Sequence, residues 1–248
     1  MSRDCIVVTG ASRGIGAAIA RALAEQGHEV ICLSRSGALP ETGPGQGGEP
    51  ARLHAARADV TDQTAMAGVF QTLADEGWRV KGLVNNAGMH LDAASAGVRL
   101  DEWNQMMTMN ATSVVIACQA AYPYLVQAGG GVIVNIGSFF DKLGVKRNLA
   151  YCASKAAVGA ITRVLAVEWG GKGIRAVNIA PGYIVTDLNL DAMAPGGPLR
   201  AYLDKRIPGR EPGQAADVGA LVASMFTPAG RFLSGETIYV DGAQSIAH

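Results

Sequence analysis

A short apolar strand, a glycine-rich turn and an amphipathic helix follow one another at the start of the chain. The strand covers residues 5–10, the turn contains Gly10, Gly14 and Gly16, and the helical pattern ends at Gly27. This order predicts the first strand and helix of a parallel α/β sheet. Glycines in such a turn let the backbone bend tightly and approach a pyrophosphate at the helix N-terminus. The Gly-x-x-x-Gly-x-Gly spacing departs from the common Gly-x-Gly-x-x-Gly, so a plain tight turn is the alternative for this motif alone.

The second predicted strand, residues 28–36, ends in Ser34, Arg35 and Ser36. Domains that bind NAD usually carry an acidic residue there, which binds the ribose hydroxyls and repels a 2′-phosphate. Here hydroxyls and a guanidinium stand in its place, and Arg13 in the glycine turn adds a second guanidinium. Both groups suit a phosphate. The sequence therefore predicts NADP(H) in preference to NAD(H), with a merely solvated Arg35 as the alternative.

The next two predicted strands also end in residues that suit a nucleotide. Asp59 and Val60 end the third strand, and Asn86, Ala87 and Gly88 follow the fourth. Asp59 could bond an adenine amino group, with Val60 against the ring. Asn86 could join neighbouring strand ends through its side chain, and Gly88 would let a cofactor lie close to the backbone.

A phenol and an ammonium lie four residues apart on a predicted long helix. Tyr151 and Lys155 share one helix face, and Ser138 ends the apolar strand that precedes them. A neighbouring ammonium favours phenolate, so we expect a lowered tyrosine pKa and proton exchange near neutral pH. Asn110 lies within a predicted helix over residues 101–127, where it could bend the helix and leave a carbonyl free for a water. A half-buried tyrosine beside a solvated lysine is the alternative for the pair alone.

Charge and cysteine usage exclude several classes of function. Lys and Arg together number 21, as do Asp and Glu, so the net charge is zero and no nucleic-acid or membrane-surface partner is indicated. We expect no signal peptide and no membrane span. The four cysteines lack metal-ligand spacing, so we expect reduced thiols, no metal site and a cytoplasmic protein.

Together these motifs resemble the short-chain dehydrogenase/reductase family, in its form of about 250 residues, along essentially the whole chain. The residues that carry the resemblance are Thr9–Gly16, Asn85–Gly88, Asn110, Ser138, Tyr151–Lys155 and Pro181–Gly182. The glycine spacing above is also this family's own. The resemblance implies an α/β fold: a single doubly wound Rossmann-like domain over residues 1–248, with about seven parallel strands flanked by helices. Its cofactor half would cover about 1–135, and its catalytic and substrate half about 136–248.

The resemblance further implies a catalytic tetrad of Asn110, Ser138, Tyr151 and Lys155. The expected reaction is hydride transfer between a nicotinamide and a small ketone or secondary alcohol, with Tyr151 as general acid and base. Ser138 would bond the same oxygen, Lys155 the nicotinamide ribose, and Asn110 would hold a water. The 3-oxoacyl-acyl-carrier-protein reductases are the leading specific expectation. An NAD-dependent alcohol, sugar or polyol dehydrogenase and a non-catalytic cofactor-binding regulator are the alternatives.

The same resemblance assigns the remaining binding residues. The expected cofactor contacts of the glycine turn and of the segment beside the nicotinamide are Gly10, Ser12, Arg13, Gly14, Ile15, Gly16, Pro181, Gly182, Ile184 and Thr186. The expected substrate wall comprises Ser138, Phe139, Phe140, Val145, Tyr151 and Tyr183. Residues 187–208 would form an irregular lid. The long helices and the last strand would build a homotetramer or homodimer.

Overall fold

The structure is a computed structural model, and it describes residues 3–40, 52–187 and 189–247. Its strands are β1 (Arg3–Thr9), β2 (Glu29–Ser34), β3 (Leu53–Arg57), β4 (Trp78–Asn85), β5 (Gly131–Ile136), β6 (Ile174–Pro181), β7 (Ile184–Val185), β8 (Gly213–Gln214) and β9 (Thr237–Val240). Seven of them form one sheet in the order β3-β2-β1-β4-β5-β6-β9, with every neighbouring pair parallel. The predicted sheet of about seven parallel strands is confirmed.

Helices cover both faces of this sheet. They are α1 (Gly14–Glu25), α2 (Gln63–Asp75), α3 (Leu100–Met107), α4 (Ser113–Gln127), α5 (Leu149–Trp169), α6 (Leu190–Met193), α7 (Pro198–Arg206) and α8 (Ala215–Ser224). Successive residues of β1 enter different apolar clusters: Val7 packs in the cluster that holds Phe70 of α2, and Val8 in the one that holds Ile19 of α1. Burial on both faces explains why the strands are continuous apolar runs.

The strand order reverses between β1 and β4, so a crevice forms where their carboxyl ends meet. Asn86 joins these ends: its Nδ2 donates to the carbonyl oxygens of Thr9 at 3.0 Å and Gly10 at 3.2 Å. The Thr9 hydroxyl accepts the backbone N–H of Asn86 in return, at 3.0 Å. The predicted bridging role of Asn86 is confirmed, and the glycine turn is tied to the end of the fourth strand.

The helix expected over residues 101–127 is interrupted near its middle. Helices α3 and α4 are separated by a π-helical turn, Thr108–Thr112, which has Asn110 at its centre. In a π-helical turn the hydrogen bonds skip one residue further than in an α-helix, and such turns are common sites of bending. The expected irregularity at Asn110 is therefore present.

Helix α5 is buried on one side only. Together with the turn that follows it, Leu149–Lys172, it is long and apolar enough to cross a membrane by length and composition, and 33% of its most apolar window is buried. Its buried residues, among them Lys155 and Val158, face the domain interior. Val164 and Val167, 52% and 84% exposed, leave an apolar stripe on the other side.

The segment expected to be an irregular lid is largely helical. Helices α6 and α7 occupy most of residues 187–208, of which Leu188 lies outside the described residues. The left-handed backbone of Gly196, with φ 84°, turns the chain between the two helices. Met193, Leu203 and Ile207 then pack in a small apolar cluster. The expectation of irregularity was wrong because these contacts stabilise α7, a helix in which four of the nine residues are charged.

Candidate active site

Lys155 is buried on the inner side of α5. Its Nζ donates to the carbonyl oxygen of Ile136 at 2.8 Å, and it lies 5.9 Å from the centre of the Tyr151 ring. Burial lowers the pKa of Lys155 to about 8. The ammonium can therefore lose its proton at a mildly alkaline pH.

The pKa of Tyr151 moves opposite to the sequence prediction. Burial raises the pKa of the phenol, and the nearby Ser138 hydroxyl acts in the lowering direction but is the weaker influence. Lys155 does not counter the burial, because its ammonium is directed at the Ile136 carbonyl. The prediction of a lowered pKa is wrong in this structure. At neutral pH Tyr151 is an undissociated phenol, which is the form that donates a proton.

Ser138 lies where β5 ends and a short 3₁₀ turn, Phe139–Asp141, begins. Its hydroxyl oxygen accepts the backbone N–H of Phe140 at 3.3 Å, so the side chain caps the turn. The residue is buried. This cap fixes the direction of a hydroxyl that lies close enough to Tyr151 to act on the pKa of its phenol.

The Asn110 side chain clamps the backbone of Met89. Its Oδ1 accepts the Met89 N–H at 2.8 Å, and its Nδ2 donates to the Met89 oxygen at 2.9 Å. A Cβ at Gly88 would lie 3.1 Å from Asn110 Oδ1 and 3.7 Å from Lys155 Nζ. Asn110 and Lys155 thus both approach Gly88 at the position where a side chain would stand. The amide is fully engaged, so any water would be held by a backbone group.

The glycine turn contacts other strand ends closely. Gly10 has φ 65°, in the left-handed region, and a Cβ there would lie 2.9 Å from the Cα of Ala87. A Cβ at Gly16 would lie 2.2 Å from the Gly10 oxygen. The first turn of α1 contains no acidic residue, and the side chain of its N-cap, Arg13, makes no capping bond. Ser12 and Ile15 lie between these positions. The N–H groups of this turn therefore suit an anion.

Guanidiniums and hydroxyls gather at the ends of β2 and β3. Ser34 is buried, and its hydroxyl lies 3.2 Å from that of Ser36. Arg57, paired in register with Ser34, donates its Nε to the Arg35 oxygen at 3.1 Å. Sequence reasoning missed Arg57, although its place at the end of a strand was a usable signal. None of the salt bridges among the described residues involves Arg13 or Arg35.

The residues expected to hold adenine follow β3 directly. Asp59 Oδ1 accepts the N–H of Thr61 at 2.9 Å and its hydroxyl at 2.7 Å. These bonds lower the pKa of Asp59, with a smaller contribution from the charge of Arg35. Val60 is buried in the apolar cluster on the α2 face of the sheet. Asp59 is thus an ionised acceptor near the Arg35 guanidinium, while Val60 contributes mainly to the apolar core.

The segment that follows β6 lies close to the glycine turn. Pro181 ends β6, and a Cβ at Gly182 would lie 2.7 Å from the Cβ of Asp241. Ile184 is buried in the cluster on the α1 face. The Thr186 methyl would be 3.7 Å from a Cβ at Gly14. This segment therefore closes over the loop that begins α1.

Aromatic rings surround Tyr151. Phe140 contacts Tyr151 edge-on with ring centres 5.8 Å apart, and Phe139 meets Tyr183 at 5.6 Å. His90 lies 4.8 Å from Tyr151, ring centre to ring centre. Val145, expected in this wall, does not belong to any of the three apolar clusters formed by the described residues. The wall is aromatic on one side and carries an imidazole on the other.

The turn that carries Ser138 is anchored to the last strand. The Tyr239 hydroxyl donates to Asp141 Oδ1 at 2.9 Å, and Lys142 Nζ lies 3.5 Å from the centre of the Tyr239 ring. Burial raises the pKa of Asp141. The carboxylate is therefore poorly hydrated, and the bond from Tyr239 stabilises its negative charge.

We expect Tyr239→Phe to lower the free energy of unfolding by about 1–3 kcal/mol, because a partly buried acceptor loses its donor. Urea unfolding of both proteins measures the change. Tyr124→Phe is the matched control, because its hydroxyl bonds an exposed Gln71 side chain at 3.1 Å. We expect that control to change stability by no more than about 0.5 kcal/mol. Equal effects of the two substitutions would show that the bond to Asp141 contributes no more to stability than the exposed bond of Tyr124.

Known proteins resemble this chain in sequence and in structure. A family model described as Enoyl-(Acyl carrier protein) reductase matches residues 10–243. D-threitol dehydrogenase of Mycolicibacterium smegmatis is 32% identical over 97% of this chain and 92% of its own length. A 3-oxoacyl-acyl-carrier-protein reductase of Vibrio cholerae is 33% identical over 95% of each chain.

Among solved structures, Thermoplasma acidophilum aldohexose dehydrogenase in ligand-free form superposes with a TM-score of 0.85 and 29% identity. That alignment covers 99% of this chain and 96% of the other. Fold, motif order and relatives agree with the resemblance found in the sequence. The chain belongs to the short-chain dehydrogenase/reductase family of oxidoreductases, and it is an enzyme acting on CH–OH groups.

Proposed function

We propose that this protein is an NADP(H)-dependent oxidoreductase that interconverts a ketone and a secondary alcohol, with Tyr151 as general acid and base. The observation that carries the proposal is that the Ser138 hydroxyl lies close enough to the Tyr151 phenol to act on its pKa, with Lys155 buried one helical turn away. The two hydroxyls present two donors to one oxygen atom. Such an arrangement suits an oxygen that gains negative charge and then a proton.

The chain's own residues handle the proton. A bound nicotinamide would supply or accept the hydride. In reduction, Tyr151 donates its proton to the carbonyl oxygen, while Ser138 donates a hydrogen bond to the same oxygen. Lys155, with a pKa of about 8, can return a proton towards Tyr151. Asn110 holds Met89, and so fixes the backbone beside Gly88. In oxidation the proton moves the other way.

Three guanidiniums at the ends of the glycine turn, β2 and β3 support NADP(H) over NAD(H). Arg13, Arg35 and Arg57 are all exposed, and the described salt bridges leave each of them without a carboxylate partner. Ser34 and Ser36 add hydroxyl donors between them. A 2′-phosphate would meet only donors there, apart from Asp59 at the rim.

We expect Arg35→Ala to weaken NADPH binding about 10- to 100-fold and NADH binding by less than about twofold, because only NADPH loses a charge-assisted bond. Fluorescence titrations with both cofactors in parallel measure this. Arg231→Ala, an exposed arginine in a turn after α8, is the control that should change neither. An equal loss for both cofactors would contradict a phosphate-specific role.

An NAD-dependent alcohol, sugar or polyol dehydrogenase is the second candidate. It is favoured by relatives named D-threitol dehydrogenase, gluconate 5-dehydrogenase and galactitol 2-dehydrogenase. The 3-oxoacyl-acyl-carrier-protein reductases favour the reductive alternative. A tenfold or greater preference for NADH in the titrations would select the dehydrogenase. Binding of NADPH without its oxidation by any ketone would instead support a non-catalytic regulator.

The proposal includes a cytoplasmic protein of one Rossmann-like domain that assembles as a homotetramer or homodimer. The exposed apolar stripe of α5, which includes Val164 and Val167, supports burial against another copy. Cys5, Cys32 and Cys118 are buried free thiols, which suits a reducing compartment. The residues that the structure describes contain no group of three or more His, Cys, Asp or Glu placed to hold a metal ion.

A further inference from the structure

His90 is held in one orientation by a buried asparagine. Its Nε2 lies 2.5 Å from Oδ1 of Asn148, which is 8% exposed. Asn148 Nδ2 donates to the carbonyl oxygen of Lys146 at 2.9 Å, so the amide group cannot be the other way round. Because Oδ1 only accepts, Nε2 of His90 is the donor of the short bond.

This bond determines which ring nitrogen remains available. A neutral imidazole has one N–H and one lone pair, so a proton on Nε2 leaves Nδ1 as an acceptor. Among the described residues, none forms a hydrogen bond with Nδ1, and the His90 side chain is exposed. The nearby charges of Asp92 and Arg147 are paired with each other at 2.9 Å. In the neutral form of the ring, Nδ1 is therefore an acceptor presented to solvent at this position.

The position is beside the proton donor. The rings of His90 and Tyr151 are nearly perpendicular, at 85°, with centres 4.8 Å apart. The other rings near Tyr151 belong to Phe139, Phe140 and Tyr183, and two of these have no polar atom. A substrate whose reacting oxygen reaches Tyr151 must place its neighbouring atoms near His90 or near the aromatic wall.

We propose that His90 determines substrate specificity by accepting a hydrogen bond from a hydroxyl on the carbon next to the reacting carbonyl. The preferred substrates are then α-hydroxyketones, and vicinal diols in the oxidising direction. A hydroxyl supplies the donor that Nδ1 lacks, whereas an alkyl group would leave the nitrogen without a partner. Asn148 is the positioning residue, because it selects the tautomer. This inference rests on the proposed ketone reductase activity.

The test compares pairs of ketones that differ by one hydroxyl. Reduction of acetoin and butanone, and of hydroxyacetone and acetone, is followed by NADPH consumption for each variant. A neighbouring hydroxyl also activates a carbonyl chemically, so the readout is the change in the ratio of kcat/KM within a pair, relative to wild type. We expect His90→Phe, which keeps an aromatic ring against Tyr151, to lower this ratio about tenfold.

Two further variants separate the proposed contact from a structural effect. His90→Gln keeps a donor for Asn148 and an acceptor oxygen, and should retain most of the wild-type ratio. His28→Phe replaces a histidine that packs on Phe226, away from Tyr151, and should leave the ratio unchanged. His90→Leu, which has no hydrogen-bonding atom in its side chain, serves where the phenylalanine variant does not fold. An unchanged ratio in the folded variant overturns the inference.

The same assay distinguishes failure of this inference from failure of the proposed function. If the wild-type protein reduced butanone and acetone but neither acetoin nor hydroxyacetone, the role of His90 would be overturned and the ketone reductase proposal would stand. Binding of NADPH without reduction of any of the four ketones would count against both. Selective loss of the hydroxylated substrates in His90→Phe, with the simple ketones unaffected, supports both.

Discussion

Tyr151→Phe should lower kcat at least about 100-fold, because a positioned general acid contributes 10²–10⁴-fold to proton-transfer steps. Phenylalanine keeps the ring that contacts Phe140 and His90, so the packing around it should persist. Only the hydroxyl, which lies near that of Ser138, is removed. We therefore expect the dissociation constant for NADPH to change by less than about threefold, since that hydroxyl serves the proton and not the phosphates.

The measurement is steady-state NADPH oxidation with a ketone, together with a fluorescence titration of the same preparation. Tyr124→Phe, which removes a hydroxyl bonded to Gln71 on α2, is the control and should keep wild-type kinetics. If Tyr151→Phe retained more than a tenth of the wild-type rate, the assignment of Tyr151 as proton donor would be wrong. A loss of cofactor binding of the same size would instead indicate that the substitution disturbed the site as a whole.

The fold was largely predictable because the inner strands of its sheet are buried on both faces. Val7 and Val8 point to opposite faces, and both faces are covered by helices. A strand of this kind must be a continuous apolar run, which is visible in the sequence without any partner. The carboxyl ends of such strands meet at one edge, so polar residues placed there, such as Asn86, can be predicted to lie together.

Features that depend on contacts distant in sequence could not be predicted. Tyr151 and Lys155 share a helix face, but the direction of the ammonium depends on the Ile136 carbonyl, and the pKa of the phenol depends on burial. The Tyr239 bond to Asp141 joins residues 98 positions apart. The orientation of His90 depends on a buried amide 58 positions away. Spacing and periodicity carry no information about such pairs.

Gly16→Ala should weaken NADPH binding by about 10- to 100-fold, the expected cost of losing one charge-assisted hydrogen bond from the glycine turn. The added Cβ would lie 2.2 Å from the Gly10 oxygen and 2.4 Å from Asn86 Nδ2. Neither atom can move freely, because Asn86 Nδ2 donates to both the Thr9 and Gly10 oxygens and so holds the ends of β1 and β4 together. The start of α1 must therefore shift away from the turn whose N–H groups suit a pyrophosphate.

The same crowding should lower the free energy of unfolding by about 1–3 kcal/mol, as overpacking of a close contact usually does. Gly68→Ala is the matched control: it lies on α2, a Cβ there meets no atom within 4 Å, and we expect a gain of up to about 1 kcal/mol from helix propensity. Urea unfolding and NADPH titration of both variants distinguish a local from a general effect. A Gly16→Ala protein that binds NADPH like the wild type would mean that the loop tolerates a side chain, and the glycine turn would then lose its role in the proposed cofactor site. Weakened binding with unchanged unfolding would place the displacement in the loop alone, because the strand ends joined by Asn86 would still support the fold.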